Sequence, residues 1–357
     1  MSSATAARLT QYSPGGGCAC KMPQGVLADL LSGLRSTGAA SAGLRVGLDP
    51  ADDAAIYDLA GLTDRSLVLT CDFITPVVDE PRDWGRIAAA NALSDVYAMG
   101  GRPLLALNLV GWPGTLDPGL LGQVVAGGAE TLGAAGAALA GGHSISDPAP
   151  KYGLAVVGEV PRSAILRKGG GKPGDLLVLT KALGVGVVST AIKRGGADSA
   201  VVAAAVRSMC RLNADAAATA SRFGLSGGTD VTGFGLIGHL HEMGVAGGVS
   251  ARIDAGAVPL LPGVRELVAR GFGPDGSRVT LRTALDRGWF RPGNLDADMR
   301  LLLADAQTSG GLLLAVPPAT ADDVVADLRR KGEVVASVVG ELVEGSPGLV
   351  SAEAVPR

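Results

Sequence analysis

A glycine-rich segment near the middle of the chain separates two stretches that both alternate strand-like and helix-like patterns. This segment, residues 163–174, contains three consecutive glycines followed by lysine and proline. Before it, Ser66–Cys71 is predicted to be a buried strand and Arg86–Met99 a helix. After it, Asp175–Thr180 restarts the pattern as another buried strand. Strands and helices mixed in both halves predict an α/β (α+β) protein of two domains.

The length of 357 residues agrees with two domains of ordinary size. We expect one domain at 46–162 and the other at 175–357, with 163–174 as the linker. Residues 1–45 are rich in Ser, Gly and Ala and are expected to form a mobile, glycine-rich N-terminal segment.

Charge and composition give no support to several classes of protein. The 31 basic and 34 acidic side chains nearly balance, and no lysine or arginine block marks a nucleic-acid-binding surface. No apolar stretch of about 20 residues predicts a membrane span, and no secretory signal is visible. The four cysteines do not form the pattern of a disulfide framework. We therefore expect a cytoplasmic protein with a small-molecule ligand and no nucleic-acid or membrane partner.

Several acidic residues stand where they could act on a ligand. Asp52 and Asp53 precede an apolar run, Asp72 is predicted to close a strand, and Asp95 lies in an otherwise apolar helix. Asn91 precedes Asp95 by four residues, so the two side chains share one helix face. Carboxylates are the ligands that Mg²⁺ uses beside nucleotide phosphates. Helix capping, turns or a solvent-facing position are the structural alternatives.

Two further polar segments are open to both a functional and a structural interpretation. Gly142, His143 and Ser144 are predicted to form a turn after a short strand, where glycine lets backbone N–H groups approach a phosphate. Asp230 precedes a predicted helix, where it could bind a metal or stabilise the helix N-terminus. Taken by itself, the first segment is better explained as an ordinary turn, whereas an ordinary helix cap explains the second as well as a metal ligand does.

Other polar residues favour a structural role. His239 and His241 are two positions apart on a predicted helix, so they diverge and do not share a zinc ion. The turn at 307–311 precedes an apolar strand and is interpreted as a structural turn that leads into this strand.

Cys18, Cys20 and Lys21 follow three glycines in the N-terminal segment. A neighbouring lysine stabilises a thiolate, and a flexible segment can close over a ligand. A zinc or copper half-site, a redox pair and inert residues are the alternatives. Because a second Cys/His pair at zinc spacing is missing from the sequence, a reactive thiol is favoured.

Taken together, these segments resemble the selenophosphate synthetases (selenide, water dikinases). The matching stretches run in order along nearly the whole chain: Leu9–Lys21, Asp52–Leu59, Thr70–Asp79, Asn91–Gly101, Leu139–Ile145, Thr229–Leu240 and Gln307–Val316.

The resemblance implies a two-domain aminoimidazole-ribonucleotide-synthetase-like fold, with homodimers that pair their N-terminal sheets into a barrel. It also implies that ATP, selenide and water are converted to selenophosphate, AMP and phosphate, with Mg²⁺ as cofactor. Selenophosphate would supply activated selenium for selenocysteine and selenouridine. A selenium-delivery protein is a possible partner.

The resemblance also implies residue roles. Cys18 and Lys21 would be catalytic, and Cys20 would not. The remaining roles fall into two groups, ATP contacts and metal ligands. ATP would contact Lys21, Pro50, Ala51, Asp52, Asp72, Asp95, Gly142, His143 and Ser144, while Asp53, Asp95 and Asp230 would bind Mg²⁺.

Two departures and two competing interpretations remain. Pro14 stands where some relatives carry histidine in the N-terminal segment, and the stretch before Asp52 lacks an arginine that some relatives have.

A related kinase of the same superfamily would share the fold, although the Cys-Ala-Cys-Lys sequence is not expected there. A selenium or metal carrier would use Cys18 and Cys20 but would leave the aspartates unexplained.

Overall fold

The computed structural model describes residues 7–13, 15–20, 43–48, 51–61 and 63–354. Two mixed sheets, each with its own helices, make up most of this part of the chain. Within it, no helix is both long enough and apolar enough to cross a membrane.

The first sheet has six strands in the spatial order β1-β2-β3-β6-β4-β5. Its members are β1 (Leu44–Leu48), β2 (Ala51–Tyr57), β3 (Arg65–Ile74), β4 (Arg102–Trp112), β5 (Ala138–Ser146) and β6 (Lys151–Pro161). Strand β5 pairs in parallel with β4, and the other neighbours pair antiparallel.

Two helices, α1 (Pro81–Ala98) and α2 (Pro118–Ala134), accompany this sheet and pack against each other. Two glycines allow their close approach. A Cβ on Gly85 would lie 1.9 Å from the Val124 carbonyl oxygen, and one on Gly127 would lie 2.1 Å from the Arg82 carbonyl oxygen. Any larger residue at either position would push the helices apart.

Helix α1 begins five residues before the predicted start at Arg86. Proline is favoured in the first turn, where its missing N–H has no intrahelical acceptor. Glu80 precedes the helix, and its side chain accepts a hydrogen bond from the Arg82 backbone N–H. Gly100 follows the helix with φ at +76°, a conformation that favours glycine.

The second sheet has seven strands in the order β10-β13-β9-β12-β7-β11-β8. Its members are β7 (Leu176–Leu179), β8 (Gly227–Asp230), β9 (Ser250–Asp254), β10 (Phe290–Arg291), β11 (Leu312–Val316), β12 (Ser337–Val343) and β13 (Val350–Glu353). Strand β11, which lies between β7 and the edge strand β8, is entirely buried and antiparallel to both neighbours.

The described residues of this half also form helices, several of which pack against the second sheet. They are α3 (Val185–Lys193), α4 (Ser199–Cys210), α5 (Ala214–Arg222), α6 (Gly235–Gly247), α7 (Val264–Ala269), α8 (Asp275–Asp286), α9 (Ala297–Leu303) and α10 (Ala321–Arg330). Helix α1 of the first half contacts α4, α5 and β8. The two halves therefore meet along α1, which also carries Asn91 and Asp95.

One face of the first sheet is apolar and exposed. Phe73 and Ile145 are 53% and 56% exposed, and their neighbours on this face are Leu69, Leu105, Leu107 and Leu139. Strand β5 is exposed along its whole length at the edge of the sheet. Contiguous exposed apolar surfaces of this kind mark interaction sites in proteins, and an open edge strand can pair with another chain.

Trp84 anchors the core between α1 and the first sheet. Its ring is fully buried and lies 6.4 Å from the rings of both Trp112 and Tyr152, measured between centroids. We expect Trp84→Ala to lower the free energy of unfolding by about 3–5 kcal/mol, because the cavity cannot fully collapse. Urea denaturation measures this loss. Trp84→Phe keeps most of the ring volume, so its loss should be clearly smaller; equal losses would contradict a packing origin.

Candidate functional site

The predicted polar face of α1 lies against β3. The Asn91 side-chain amide donates a hydrogen bond to Asp72 Oδ2 at 2.6 Å. One turn later, Asp95 Oδ2 accepts from the Thr70 hydroxyl at 2.5 Å. Asp72 does not close the strand as predicted, because β3 continues to Ile74. Strand alternation turns Thr70 and Asp72 toward the helix while their neighbours face the exposed surface.

Cys18 lies at this same place. Its short 3₁₀ turn, Gly17–Cys20, buries the side chain to 1% exposure. The Cys18 thiol hydrogen bonds to Asn91 Oδ1 at 3.3 Å, and its backbone N–H donates to Thr308 Oγ1 at 3.2 Å. Gly17 has φ at +56°, and a Cβ there would lie 2.3 Å from Thr308 Oγ1. Glycine is therefore required for the thiol to reach Asn91.

The described part of the N-terminal segment is fastened to both halves of the molecule. Thr10 donates to Asp79 Oδ1 from its backbone N–H at 3.0 Å and from its hydroxyl at 2.6 Å. On the other side, Gln11 donates to the Lys193 carbonyl at 2.7 Å, and the Lys193 ammonium donates to the Ser13 carbonyl. These described residues, 7–13 and 15–20, are called the strap; the strap carries Cys18 and spans from the loop after β3 to the end of α3.

The turn at 307–311 is also part of the site, so its interpretation as a purely structural turn is incomplete. Thr308 accepts from Cys18, and the Ser309 backbone N–H donates to Asn91 Oδ1 at 2.8 Å. These contacts join residues more than 200 positions apart in sequence. The only local signal was a polar, glycine-rich sequence before an apolar strand.

Strand β8, in the second half of the chain, contributes the carboxylate of Asp230 to the site. Asp230 Oδ2 accepts from the Ser94 hydroxyl of α1 at 2.6 Å. The preceding residue, Thr229, donates through its hydroxyl to Asp53 Oδ1 at 3.0 Å. Asp53 and Asp230 are therefore gathered from two different sheets. The other oxygen, Asp53 Oδ2, is buried and has no hydrogen-bond partner among the described residues.

The linker region contributes cations that sequence reasoning missed. The Lys168 ammonium lies 2.9 Å from Asp53 Oδ1 and 3.2 Å from Glu242 Oε2. Arg167 pairs with Asp52 Oδ2 at 3.2 Å. These pairs compensate carboxylates that are almost entirely buried. Their only sequence signal was a basic pair beside a glycine run.

The charges of this cluster shift each other's protonation. Burial, and the neighbouring carboxylate of Asp53, raise the pKa of Asp52 to about 6, with Lys168 acting in the opposite direction. Burial disfavours the charge on Lys168, but Asp53, Glu242 and Asp52 outweigh it and raise the Lys168 pKa well above its ordinary value. Lys168 is thus a stable cation at neutral pH.

The segment Gly142-His143-Ser144 is not the turn that the sequence predicts. It lies inside β5, an exposed strand that continues to Ser146. Gly141 and Gly142 have φ at +121° and +154°, and a Cβ on Gly142 would lie 2.3 Å from the Asn108 carbonyl oxygen. These glycines permit an irregularity in the pairing of β5 with β4. In the sheet order, β5 lies three strands from β3, about 14 Å away.

Two predicted site residues, Lys21 and Pro50, lie outside the described residues, whereas Ala51 begins β2. In the described part of the chain, no group of three or more His, Cys, Asp or Glu side chains lies close enough together to hold a metal ion. A bound metal would therefore take further ligands from outside these side chains.

The two histidines of α6 diverge, as predicted. His239 Nε2 lies 3.2 Å from the Thr232 hydroxyl, while the His241 ring stacks on Trp289 with centroids 4.2 Å apart.

Comparison with known sequences identifies relatives over the whole chain. The profile of the AIR synthase related protein N-terminal domain matches residues 51–160, and that of the C-terminal domain matches residues 172–351. Selenide, water dikinase of Salmonella typhi is 45% identical over 349 residues, which cover 98% of both chains. Selenide, water dikinase of Escherichia coli O6:H1 is 44% identical over 347 residues, 97% of this chain and 98% of that protein.

Solved structures confirm the predicted two-domain, aminoimidazole-ribonucleotide-synthetase-like α/β fold. Thiamine monophosphate kinase from Aquifex aeolicus superposes with a TM-score of 0.64 at 16% identity, covering 94% of this chain and 99% of that one. Hydrogenase maturation protein HypE, solved in complex with ATP, gives a TM-score of 0.63 at 20% identity, with 98% and 95% covered. At these identities the likeness concerns the fold alone. The near-complete match to sequence relatives goes further, and by it the chain belongs to the selenide, water dikinase family.

Proposed function

We propose that this enzyme converts ATP, selenide and water to selenophosphate, AMP and phosphate. Family membership supports this reaction, and one structural observation carries it: Cys18 is buried against Asn91, the residue that also binds Asp72, on the helix that contacts Asp230 of the second sheet. A kinase that used only ATP and an alcohol or phosphate acceptor would have no need for this thiol. The product supplies activated selenium for selenocysteine and selenouridine formation.

The nucleotide is proposed to bind along β2, β3 and α1, in the domain at 46–162. Asp52, Asp72 and Asp95 are the described side chains there, and the backbone at Ala51 adjoins them. Lys21 and Pro50 complete the proposed ATP contacts. Lys21 would place an ammonium group beside the phosphates, where it can complement their charge.

Mg²⁺ is proposed to bind Asp53, Asp95 and Asp230. Because no three such side chains among the described residues lie close enough together to hold one ion, each ion would take only one or two of these carboxylates. The buried, unpartnered Asp53 Oδ2 is an oxygen that a hard cation would satisfy. Phosphate oxygens and water would supply the remaining ligands. When bound, Mg²⁺ neutralises charge on the triphosphate and on the phosphoryl group in transfer.

The strap is proposed to perform the selenium-specific part of the reaction. Cys18 is the group that would engage selenide, and the Gly17 backbone conformation sets its distance from Asn91. Closure of the strap over both halves excludes water until the phosphoryl group is transferred.

The mobility of residues 1–45 and the domain limits 46–162, 163–174 and 175–357 stay predictions.

A homodimer is proposed to cover the exposed apolar face of the first sheet. In one protomer, the Gly142–Ser144 segment is three strands away from Asp72. If two such faces pack together, β5 of one subunit can reach the nucleotide site of its partner. This arrangement reconciles the proposed ATP contacts of Gly142, His143 and Ser144 with their position at the sheet edge.

We expect Phe73→Asp to convert the dimer to a monomer, because a charge would be buried in the centre of the apolar interface. Sedimentation velocity measures the change in mass. Val334→Asp is the control, since Val334 is exposed on the other half of the molecule. A Phe73→Asp chain that sediments like the unaltered protein would place the interface elsewhere.

Anaerobic incubation with ATP, Mg²⁺ and selenide tests the proposed reaction. Selenide-dependent AMP and a ³¹P resonance split by bonded selenium are the expected result. ADP as the only nucleotide product would instead indicate a kinase of the superfamily, and selenium binding without turnover would indicate a carrier. Cytoplasmic location and a selenium-delivery partner stay predictions.

A further inference from the structure

A buried lysine contacts the turn at 307–311, which supports Cys18. Lys181 follows β7 and is 3% exposed. Its ammonium donates to two backbone carbonyl oxygens, that of Arg211 at 2.6 Å and that of Ser309 at 3.0 Å. Burial lowers the Lys181 pKa to about 8. Burying an ammonium group costs desolvation free energy, so Lys181 is expected to have a role beyond filling space in the core.

Ser309 is the residue that this lysine holds. Among the described residues, it is the only non-glycine residue with positive φ, at 50°. A side chain in this left-handed conformation is strained, and strained residues persist only where their surroundings hold them. The residue after Ser309 is also held in place, because the Asn213 side chain donates a hydrogen bond to the Gly310 carbonyl at 2.8 Å.

The left-handed conformation has a direct effect on the thiol. It sets the orientation of the Ser309 carbonyl, which Lys181 holds, relative to the Ser309 N–H, which donates to Asn91 Oδ1. The same oxygen of Asn91 also accepts from the Cys18 thiol. The same turn presents the Thr308 hydroxyl to the Cys18 backbone. If Ser309 relaxed to negative φ, its N–H and carbonyl would rotate, and both supports of Cys18 would shift.

We propose that Lys181 is a positioning residue, whose ammonium holds Ser309 in the left-handed conformation and thereby keeps Asn91 and Thr308 in register with Cys18. Lys181 does not touch substrate. The inference rests on the proposed role of Cys18. A lysine that merely stabilised the fold would, in contrast, have no particular link to the conformation of Ser309.

The first test replaces the ammonium by a methyl group of similar reach, in Lys181→Met. We expect kcat for selenophosphate to fall on the order of tenfold or more, with KM for ATP changed less than about twofold. Alkylation by iodoacetamide, resolved by fragment mass spectrometry, should show Cys18 reacting faster relative to Cys20. Cys20 is exposed in the same peptide segment and acts as an internal standard.

The second test asks whether glycine makes the lysine dispensable. Glycine adopts positive φ without the steric cost that alanine bears, while both remove the serine hydroxyl. We therefore compare Ser309→Gly with Ser309→Ala, each combined with Lys181→Met. The glycine double variant should recover kcat and Cys18 protection by roughly five- to tenfold over the alanine double variant.

Equal kcat and equal alkylation ratios in the two double variants would overturn the proposal, as would an unchanged kcat in Lys181→Met. If Lys181→Met does not fold, Ser309→Val tests the same link from the other side. A branched side chain disfavours positive φ, so lower kcat and faster Cys18 alkylation are expected, and unchanged values would contradict us. Failure of the proposed reaction is seen separately, as absence of selenophosphate with the unaltered enzyme.

Discussion

Cys18→Ser is expected to lower selenide-dependent AMP formation by about a thousandfold while ATP affinity changes less than about twofold. The serine hydroxyl can still hydrogen bond to Asn91, so the strap can close as before. What the substitution removes is the polarisable sulfur, and the thiolate is the nucleophilic form of a cysteine. Anaerobic AMP assays measure the first quantity, and calorimetry with a non-hydrolysable ATP analogue measures the second.

Cys20→Ser is the matched control, two residues away on the same turn. The Cys20 thiol is exposed and lies 3.5 Å from the Thr75 hydroxyl, away from Asn91. We expect it to retain at least about half of the activity. Selenophosphate synthesis that survived Cys18→Ser would remove this thiol from the mechanism. Equal losses in the two variants would point to closure of the strap rather than to the Cys18 sulfur.

Asp53→Asn should have the second largest effect, weakening divalent-cation binding by about a hundredfold and lowering kcat/KM for ATP accordingly. The amide would keep the contact with the Thr229 hydroxyl but would lose the charge and one metal-binding oxygen. Mn²⁺ is a suitable probe, because electron paramagnetic resonance counts the free ion directly. Retained Mn²⁺ affinity in Asp53→Asn would exclude this carboxylate as a ligand.

Lys168→Met is predicted to act in the opposite direction at the same carboxylate. Its ammonium holds Asp53 Oδ1 at 2.9 Å, so it competes with a metal ion for the charge of that group. Without it, Mn²⁺ should bind severalfold more tightly, and the metal-free protein should melt at a lower temperature. Weaker Mn²⁺ binding by Lys168→Met would mean that the lysine supports the metal rather than competing with it.

Local periodicity was enough to predict the parts of the site that lie on regular elements. Asn91 and Asp95 are four residues apart on a helix, and the structure turns both toward β3. The alternation of strands and helices likewise predicted the fold class. These features depend on spacing along the chain, which one sequence contains in full.

The remaining parts depend on contacts that spacing does not encode. Lys168 reaches Asp53 across 115 positions, and Ser309 reaches Asn91 across 218. Gly142 was predicted as a turn because glycine has the same permissive backbone in a turn and in an irregular strand. Which of the two occurs is decided by pairing with β4, a long-range property.

The enclosure of Cys18 has a consequence for its oxidation. Thiol oxidation follows exposure and thiolate character, and beyond the sulfenic acid it becomes irreversible for most proteins. With the strap closed, Cys18 is shielded by Thr308 and Asn91, whereas Cys20 faces solvent. On the proposed mechanism, in which the strap opens to admit selenide, the same opening would expose the thiol to peroxide. Oxidative inactivation of this enzyme should accordingly track the time that the strap spends open, and bound nucleotide that favours closure should protect it.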